Sequence, residues 1–132
     1  MLAGAGYHVR DLGTHSLAPC DYPAVALRVA RAVSAGRAAR GVLICKSGVG
    51  MAIAANKVPG VRAAVVPTMA AARHSREHND TNVLVLGAVG LAPARAQRIV
   101  EAWLNTPFGG GRHARRVRQI QRIERRYLTN RS

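Results

Sequence analysis

The chain has 132 residues, of which 48% are hydrophobic, and this is enough for a single globular domain over residues 1–132 with its own core. Its formal net charge is +14, carried by 18 arginines and two lysines against six acidic residues. Aromatic residues make up only 4%, which argues against a nucleic-acid module that stacks bases, and no run approaches the ~20 apolar residues that span a membrane.

The first third of the chain predicts a strand, a loop and a helix. Residues 7–12 have apolar side chains at Val9 and Leu12, typical of a short strand, and a loop-like segment follows over residues 13–20. Asp21 and Pro23 suit the start of a helix, and Gly36 suits its end. Between them, apolar residues recur at helical spacing on one face: Val25, Ala26, Val29, Ala30 and Val33.

Three short apolar runs in the middle of the chain predict strands over residues 42–44, 61–66 and 82–86. Continuous runs of this kind are typical of strands covered on both faces. Helical patterns lie over residues 68–78 and 93–105, the second with an apolar stripe that includes Ile99, Val100 and Trp103. Because strands alternate with helices, we predict an α/β domain built on a parallel sheet.

The C-terminal segment, residues 112–132, is strongly basic and follows a run of three glycines. Val117, Ile120, Ile123 and Tyr127 recur at helical spacing, with arginines between them. The pattern predicts an amphipathic helix that packs on its own domain or on a partner subunit.

The segment most suggestive of chemistry begins at Cys45, directly after the first buried strand. Gly48 and Gly50 follow in a loop, and then a helical run over residues 51–57. Backbone N–H groups of such a loop favour an anion, and a thiol beside them could move a proton next to a carbonyl. The spacing matches neither a Walker A loop nor a dinucleotide-binding fingerprint. A buried, inert cysteine remains an alternative, because cysteine is among the most buried residue types.

Two further groups are candidates for a site. His78 and Asn79 end the helix predicted over residues 68–78, where they could act in catalysis or simply cap the helix. Arg112 and Arg116 are four residues apart, so two guanidinium groups could clamp one phosphate, although a solvated basic face fits equally well. His74 and His15 have no partner in this reading and are interpreted as surface or core residues.

The cysteines and histidines show no zinc spacing, and two cysteines do not make a disulfide framework. We therefore expect a reduced, cytoplasmic protein without a metal site.

Several blocks together resemble the type B ribose-5-phosphate isomerases, whose family includes the galactose-6-phosphate isomerase subunits. The blocks occur in family order and cover nearly the whole chain: residues 11–14, 21–23, 45–64, 75–84, 103–106 and 110–117. The resemblance implies a Rossmann-like three-layer fold, with a parallel sheet flanked by helices. It also implies an aldose–ketose isomerase that needs neither cofactor nor metal and works as a homodimer or a dimer of dimers.

The resemblance assigns roles to individual residues. It implies that Cys45 is the base that carries a proton between C1 and C2 through an enediolate, with Ser47 beside it. The backbone around Gly48 and Gly50 would hold the enediolate oxygen, and His78 would help to open the furanose ring. The substrate-binding residues that it implies are Tyr22, Asn79, Arg112 and Arg116.

The sequence also departs from the family pattern. Residues 1–7 align with the end of the family's first helix, so we expect the first family strand and most of that helix to be absent, and the activity of the chain as written to be weak. Lys46, Pro67 and Val89 replace residues that are usual in the family. A non-catalytic, sugar-phosphate-binding subunit is therefore the alternative, and a nucleic-acid partner is the least favoured reading.

Overall fold

A computed structural model describes residues 6–13 and 21–129. Residues 14–20 of the loop predicted over residues 13–20, with His15 and Cys20, lie outside the described residues. The described elements alternate along the chain in the order α1 (Tyr22–Ser34), β1 (Gly41–Cys45), α2 (Val49–Ala55), β2 (Ala63–Val65), α3 (Met69–Asn79), β3 (Val83–Gly87), α4 (Pro93–Asn105) and α5 (Gly111–Thr129).

Over the described ranges the strands form one parallel sheet in the order β1-β3-β2. In this register Gly41 pairs with Val83 and Cys45 with Gly87, while Ala63 also pairs with Val83 on the other side of β3. The carboxyl ends of the strands therefore share one edge of the sheet, and their amino ends share the other. The parallel α/β architecture predicted from the sequence is confirmed.

Two hydrophobic cores cover the two faces of the sheet. Val83 and Val85 of β3 point into one core, which they share with α1 and α2, and Leu84 and Leu86 point into the other, which they share with α3 and α4. All four side chains are at most 1% exposed, because β3 lies at the centre of the sheet with helices on both sides. The result is the expected three-layer arrangement.

Helix ends follow the predicted signals with one exception. Gly36 follows Ala35, the C-cap of α1, with φ +76°, a left-handed conformation that glycine adopts at little cost. The Thr68 side chain caps α3 by accepting a hydrogen bond from the Ala71 N–H at 3.0 Å. Asp21 occupies the N-cap of α1, but among the described residues its side chain makes no capping hydrogen bond.

The strand predicted over residues 7–12 is not formed, and this prediction was wrong. The segment instead runs near α1, where the Leu12 carbonyl accepts a hydrogen bond from Arg28 Nε at 3.2 Å. A strand needs a neighbour for its backbone groups, and no described segment pairs with the outer edge of β1. Ile44 of β1 is 59% exposed, so β1 is not covered on both faces as the sequence predicts.

Helix α5 packs on the domain over only part of its length. Val117 is buried, and Glu124 accepts a hydrogen bond from the Gly60 N–H at 3.0 Å. The remaining apolar side chains of the predicted stripe are 49–63% exposed: Ile120, Ile123 and Tyr127. The helix is amphipathic as predicted, but most of its apolar stripe has no partner within the described chain.

Candidate functional site

The loop after β1 packs closely against the sheet at a position that only glycine fits. Gly48 is buried at the N-cap of α2 with φ +80°, and a Cβ there would lie 3.0 Å from Val85 Cγ1. The Ser47 Oγ turns back to accept a hydrogen bond from the Val49 N–H at 3.3 Å. Amides in the first turn of a helix have no acceptor within the helix, so the first turn of α2 directs N–H groups toward the loop that follows Cys45.

Cys45 itself is half-buried and packs against the core on the α1–α2 face of the sheet. Tyr22 opens α1 at the same edge of the sheet, and its ring rests on Gly50: a Cβ on Gly50 would lie 2.5 Å from the ring. Gly50 is therefore needed for close contact between α1 and α2. The predicted site residues of this group all lie at the carboxyl edge of the sheet: Tyr22, Cys45, Ser47, Gly48 and Gly50.

An open cavity of about 460 Å³ lies at this edge. Residues at or just beyond the carboxyl ends of all three strands line it: Lys46, Ser47, Val65, Val66, Pro67, Gly87 and Val89. Backbone hydrogen bonds tie its two sides together, from the Ala88 N–H to the Cys45 carbonyl at 2.8 Å and from the Val89 N–H to the Lys46 carbonyl at 3.2 Å. Ligands of open parallel sheets bind in this position, and residues beyond Val66 and Gly87 lie beside the cysteine loop.

His78 and Asn79 occupy the last turn of α3, and a buried arginine holds the chain that follows them. Asp80 closes the helix with φ +48°, an uncommon conformation for a residue other than glycine. Arg76 is 5% exposed and donates to Asp80 Oδ1 at 2.8 Å, the Thr81 carbonyl at 2.6 Å and the Thr106 carbonyl at 3.2 Å. Arg62 makes a second ion pair with Asp80 at 3.4 Å. These contacts fix the position of the α3 C-terminus.

Three histidines stack at this end of α3. The ring centroid of His78 lies 3.9 Å from that of His74, one helical turn earlier, and 4.0 Å from that of His113 in the first turn of α5. Burial, followed by electrostatic interactions with His78, Arg112 and Arg116, lowers the pKa of His113, and Glu77 opposes this shift.

Sequence reasoning missed this cluster, because it left His74 without a partner and gave His113 no role. The i, i+4 spacing of His74 and His78 on one helix was the available signal. The contact with His113 depends on how α5 docks on α3.

Arg112 and Arg116 are exposed in the first turns of α5, on either side of His113 in the sequence. Their positive charges contribute to the lowered pKa of His113. The two residues predicted to clamp a phosphate therefore begin α5, the helix that contacts His78 through His113.

Within one chain, however, the two groups of candidate residues lie at opposite edges of the sheet. Cys45 ends β1 at the carboxyl edge. Helix α3 runs from the carboxyl end of β2 back to the amino edge, so His78 and Asn79 lie just before β3 begins. Five strand residues, about 13 Å in length, separate these edges. A single chain therefore does not bring Cys45 and His78 together.

Neither a candidate metal-binding group nor a membrane-spanning helix is found among the described residues. In residues 6–13 and 21–129, no group of three or more His, Cys, Asp or Glu side chains is arranged to hold a metal ion. No helix in those ranges is both long and apolar enough to cross a membrane.

Comparison with known proteins identifies relatives over most of the chain. Residues 1–120 match the family model described as Ribose/Galactose Isomerase. The chain is 47% identical over 125 residues to ribose-5-phosphate isomerase B of Escherichia coli, covering 95% of this chain and 84% of that protein.

Solved structures agree with this relationship. A ribose-5-phosphate isomerase B from Clostridium thermocellum is 51% identical and superposes with a TM-score of 0.92, covering 96% of this chain and 85% of that one. The enzyme from Mycoplasma genitalium, solved with bound ribulose-5-phosphate, is 40% identical with a TM-score of 0.90, covering 94% and 83%. The sequence blocks, the three-layer fold and these relatives agree, and the chain belongs to the ribose/galactose isomerase family of sugar-phosphate isomerases.

Proposed function

We propose that this protein interconverts ribose 5-phosphate and ribulose 5-phosphate, with Cys45 as the base. The observation that carries the proposal is the cysteine loop of β1 and α2, with its buried Gly48, beside an open cavity at the carboxyl edge of the sheet. Two relatives support the substrate: the E. coli protein that is 47% identical, and the M. genitalium structure that contains ribulose-5-phosphate.

In the proposed reaction, the Cys45 thiolate removes the C2 proton of the open-chain aldose and returns it to C1. The electron pair of the C–H bond forms the C1–C2 double bond of an enediolate, and a proton moves from O2 to O1 as the ketose forms. Amides around Gly48 and Gly50 stabilise the oxygen that becomes negative. Ser47, two residues after the base in the chain, positions the same oxygens.

The remaining site residues bind and prepare the substrate. His78 moves the proton that opens the furanose ring, because an imidazole can both donate and accept a proton near neutral pH. Asn79 and Tyr22 hydrogen-bond to sugar hydroxyls. Arg112 and Arg116 hold the phosphate, for which the planar guanidinium is suited.

This reaction needs two copies of the chain, because Cys45 and His78 lie at opposite edges of one sheet. A two-fold dimer in which the carboxyl edge of one copy faces the amino edge of the other would complete two equal sites. The exposed apolar stripe of α5 supports such an assembly, since Ile120, Ile123 and Tyr127 are 49–63% exposed in the single chain. We propose a homodimer, or a dimer of such dimers.

The direct test is isomerisation of ribose 5-phosphate by the parent chain and three variants. Cys45→Ala should lower turnover by at least the ~10²–10⁴-fold that an acid–base group supplies. Arg112→Ala should mainly raise KM, whereas Arg115→Ala, an exposed arginine on the same helix, is the matched control and should change little. Turnover by Cys45→Ala at the parental rate would contradict the assigned base.

The alternative is a sugar-phosphate-binding subunit without catalysis. It is favoured by the open outer edge of β1, where Ile44 is 59% exposed and residues 7–12 form no strand. The discriminating comparison adds a family-like strand and helix before Met1 and measures both ribose 5-phosphate binding and isomerisation. Turnover in either form supports the isomerase, and specific binding without turnover in both supports the alternative.

A further inference from the structure

The three stacked histidines place one ring between two others. His78 is the central ring, with His74 on one side at 3.9 Å and His113 on the other at 4.0 Å between centroids. The planes of His78 and His113 differ by only 24°, against 36° for His74 and His78. His113 is half-buried and His74 is exposed, so the more nearly parallel contact, between His78 and His113, is also the less exposed to solvent.

The glycine turn before α5 sets the position of His113. The Gly109 N–H donates to the Glu77 carbonyl at 3.0 Å, which ties this turn to the residue just before His78. A Cβ on Gly109 would lie 3.0 Å from that carbonyl oxygen and 3.5 Å from His113 Cδ2. The His113 N–H then donates to the Gly110 carbonyl at 3.0 Å. Close backbone contact thus brings the first turn of α5 onto the end of α3.

The charges around His113 favour its neutral form. His78 on α3 and Arg112 and Arg116 on α5 all disfavour a positive charge on this ring, and only Glu77 on α3 favours one. Partial burial acts in the same direction, so the pKa of His113 lies below its ordinary value of 6.5. At neutral pH His113 therefore presents an uncharged flat face to His78.

We propose that His113 is a positioning residue for His78: its neutral ring packs against one face of the His78 imidazole and fixes the direction in which the His78 nitrogens point. This inference rests on the proposed function only in assigning ring opening to His78. Small errors in the orientation of a proton-transfer group are costly, because a displacement of about 1 Å can reduce a rate by ~10²-fold. His113 acts here through its face and not through its nitrogens.

The kinetic test compares His113→Ala, which removes the ring, with His113→Phe, which keeps a flat ring without a proton to exchange. We expect His113→Ala to lower kcat by about tenfold with KM changed less than about twofold, and His113→Phe to stay within about threefold of the parent. In the parent, activity should also decline below pH 6.5 as His113 gains charge, and His113→Phe should lack this part of the decline. Equal loss in both variants, or no loss in His113→Ala, would overturn the inference.

A second measurement does not depend on turnover. In the full chain with labelled histidines, NMR should show the His78 ring protons shifted by the adjacent aromatic face, and His113→Ala should remove this shift while His113→Phe keeps it. Unchanged His78 resonances in His113→Ala would overturn the inference and leave the isomerase proposal intact. If no protein in the series isomerises ribose 5-phosphate, the His78 resonances alone decide the inference.

Discussion

Replacing Arg76 by methionine should destabilise the protein strongly, because this side chain holds together the segment that follows His78 and Asn79. The Arg76 side chain is 6% exposed, and its guanidinium donates to Asp80, the Thr81 carbonyl and the Thr106 carbonyl. Methionine has a similar length but no donor, so the two carbonyl oxygens and one carboxylate oxygen lose these partners.

The expected cost follows from these three hydrogen bonds. At about 1 kcal/mol for each bond to a buried acceptor, the loss is about 3 kcal/mol. Asp80 is 32% exposed and keeps its contact with Arg62, so we do not add the larger cost of a fully buried, unpaired charge. For a domain of this size, the loss corresponds to a fall in Tm of about 10 °C.

Urea and thermal unfolding at one fixed protein concentration would measure the change, because association also affects stability. Arg73→Met is the matched control: it lies one turn earlier on α3, is exposed, and should change stability by less than ~0.5 kcal/mol. Hydrogen exchange should also show faster opening at the end of α3 in Arg76→Met. A loss below about 1 kcal/mol would refute the argument that this network fixes the α3 C-terminus.

Three further outcomes follow from the structure. Gly87→Ala should destabilise by about 2 kcal/mol in urea unfolding, because its Cβ would lie 2.8 Å from the backbone oxygen of Ser47; a neutral effect would contradict this packing. Docking of α5 should weaken as pH falls below 6.5. The pKa of His113 is lower in the folded state than in the unfolded state, so the unfolded state binds more protons at this residue and the folded state loses stability. Calorimetry between pH 7.5 and 5.5 should show a larger loss for the parent than for His113→Phe, and equal losses would exclude this cause. Ile123→Arg, at a position 57% exposed, should weaken self-association in sedimentation experiments without unfolding the chain, and an unchanged assembly would exclude this face from the interface.

Much of the fold could be predicted because local patterns and the buried core agree. The run from Val83 to Leu86 forms the central strand, and the stripe of Ile99 and Trp103 on α4 packs into the second core. Pro93 opens α4 and Gly36 closes α1, as their backbone preferences indicate. These features depend on neighbours close in sequence or on burial of apolar area.

Features that depend on distant partners could not be predicted in the same way. Residues 7–12 have a strand pattern, yet a strand forms only where another offers its backbone, and the pattern does not contain that partner. His113 stacks on His78 only because the turn at Gly109 docks on α3, a contact that spacing does not reveal. The opposite placement of Cys45 and His78 likewise follows from strand order and helix direction, and not from either motif.

The most direct test of the account is complementation between two inactive variants. Cys45→Ala and His78→Ala should each lose turnover of ribose 5-phosphate. When the two are co-expressed, a mixed dimer has one site with both intact residues, since each site takes Cys45 from one copy and His78 from the other. Random pairing then predicts recovery of about a quarter of the parental activity per chain. If isolated mixed dimers show no more activity than the separate variants, the proposed two-copy site is wrong.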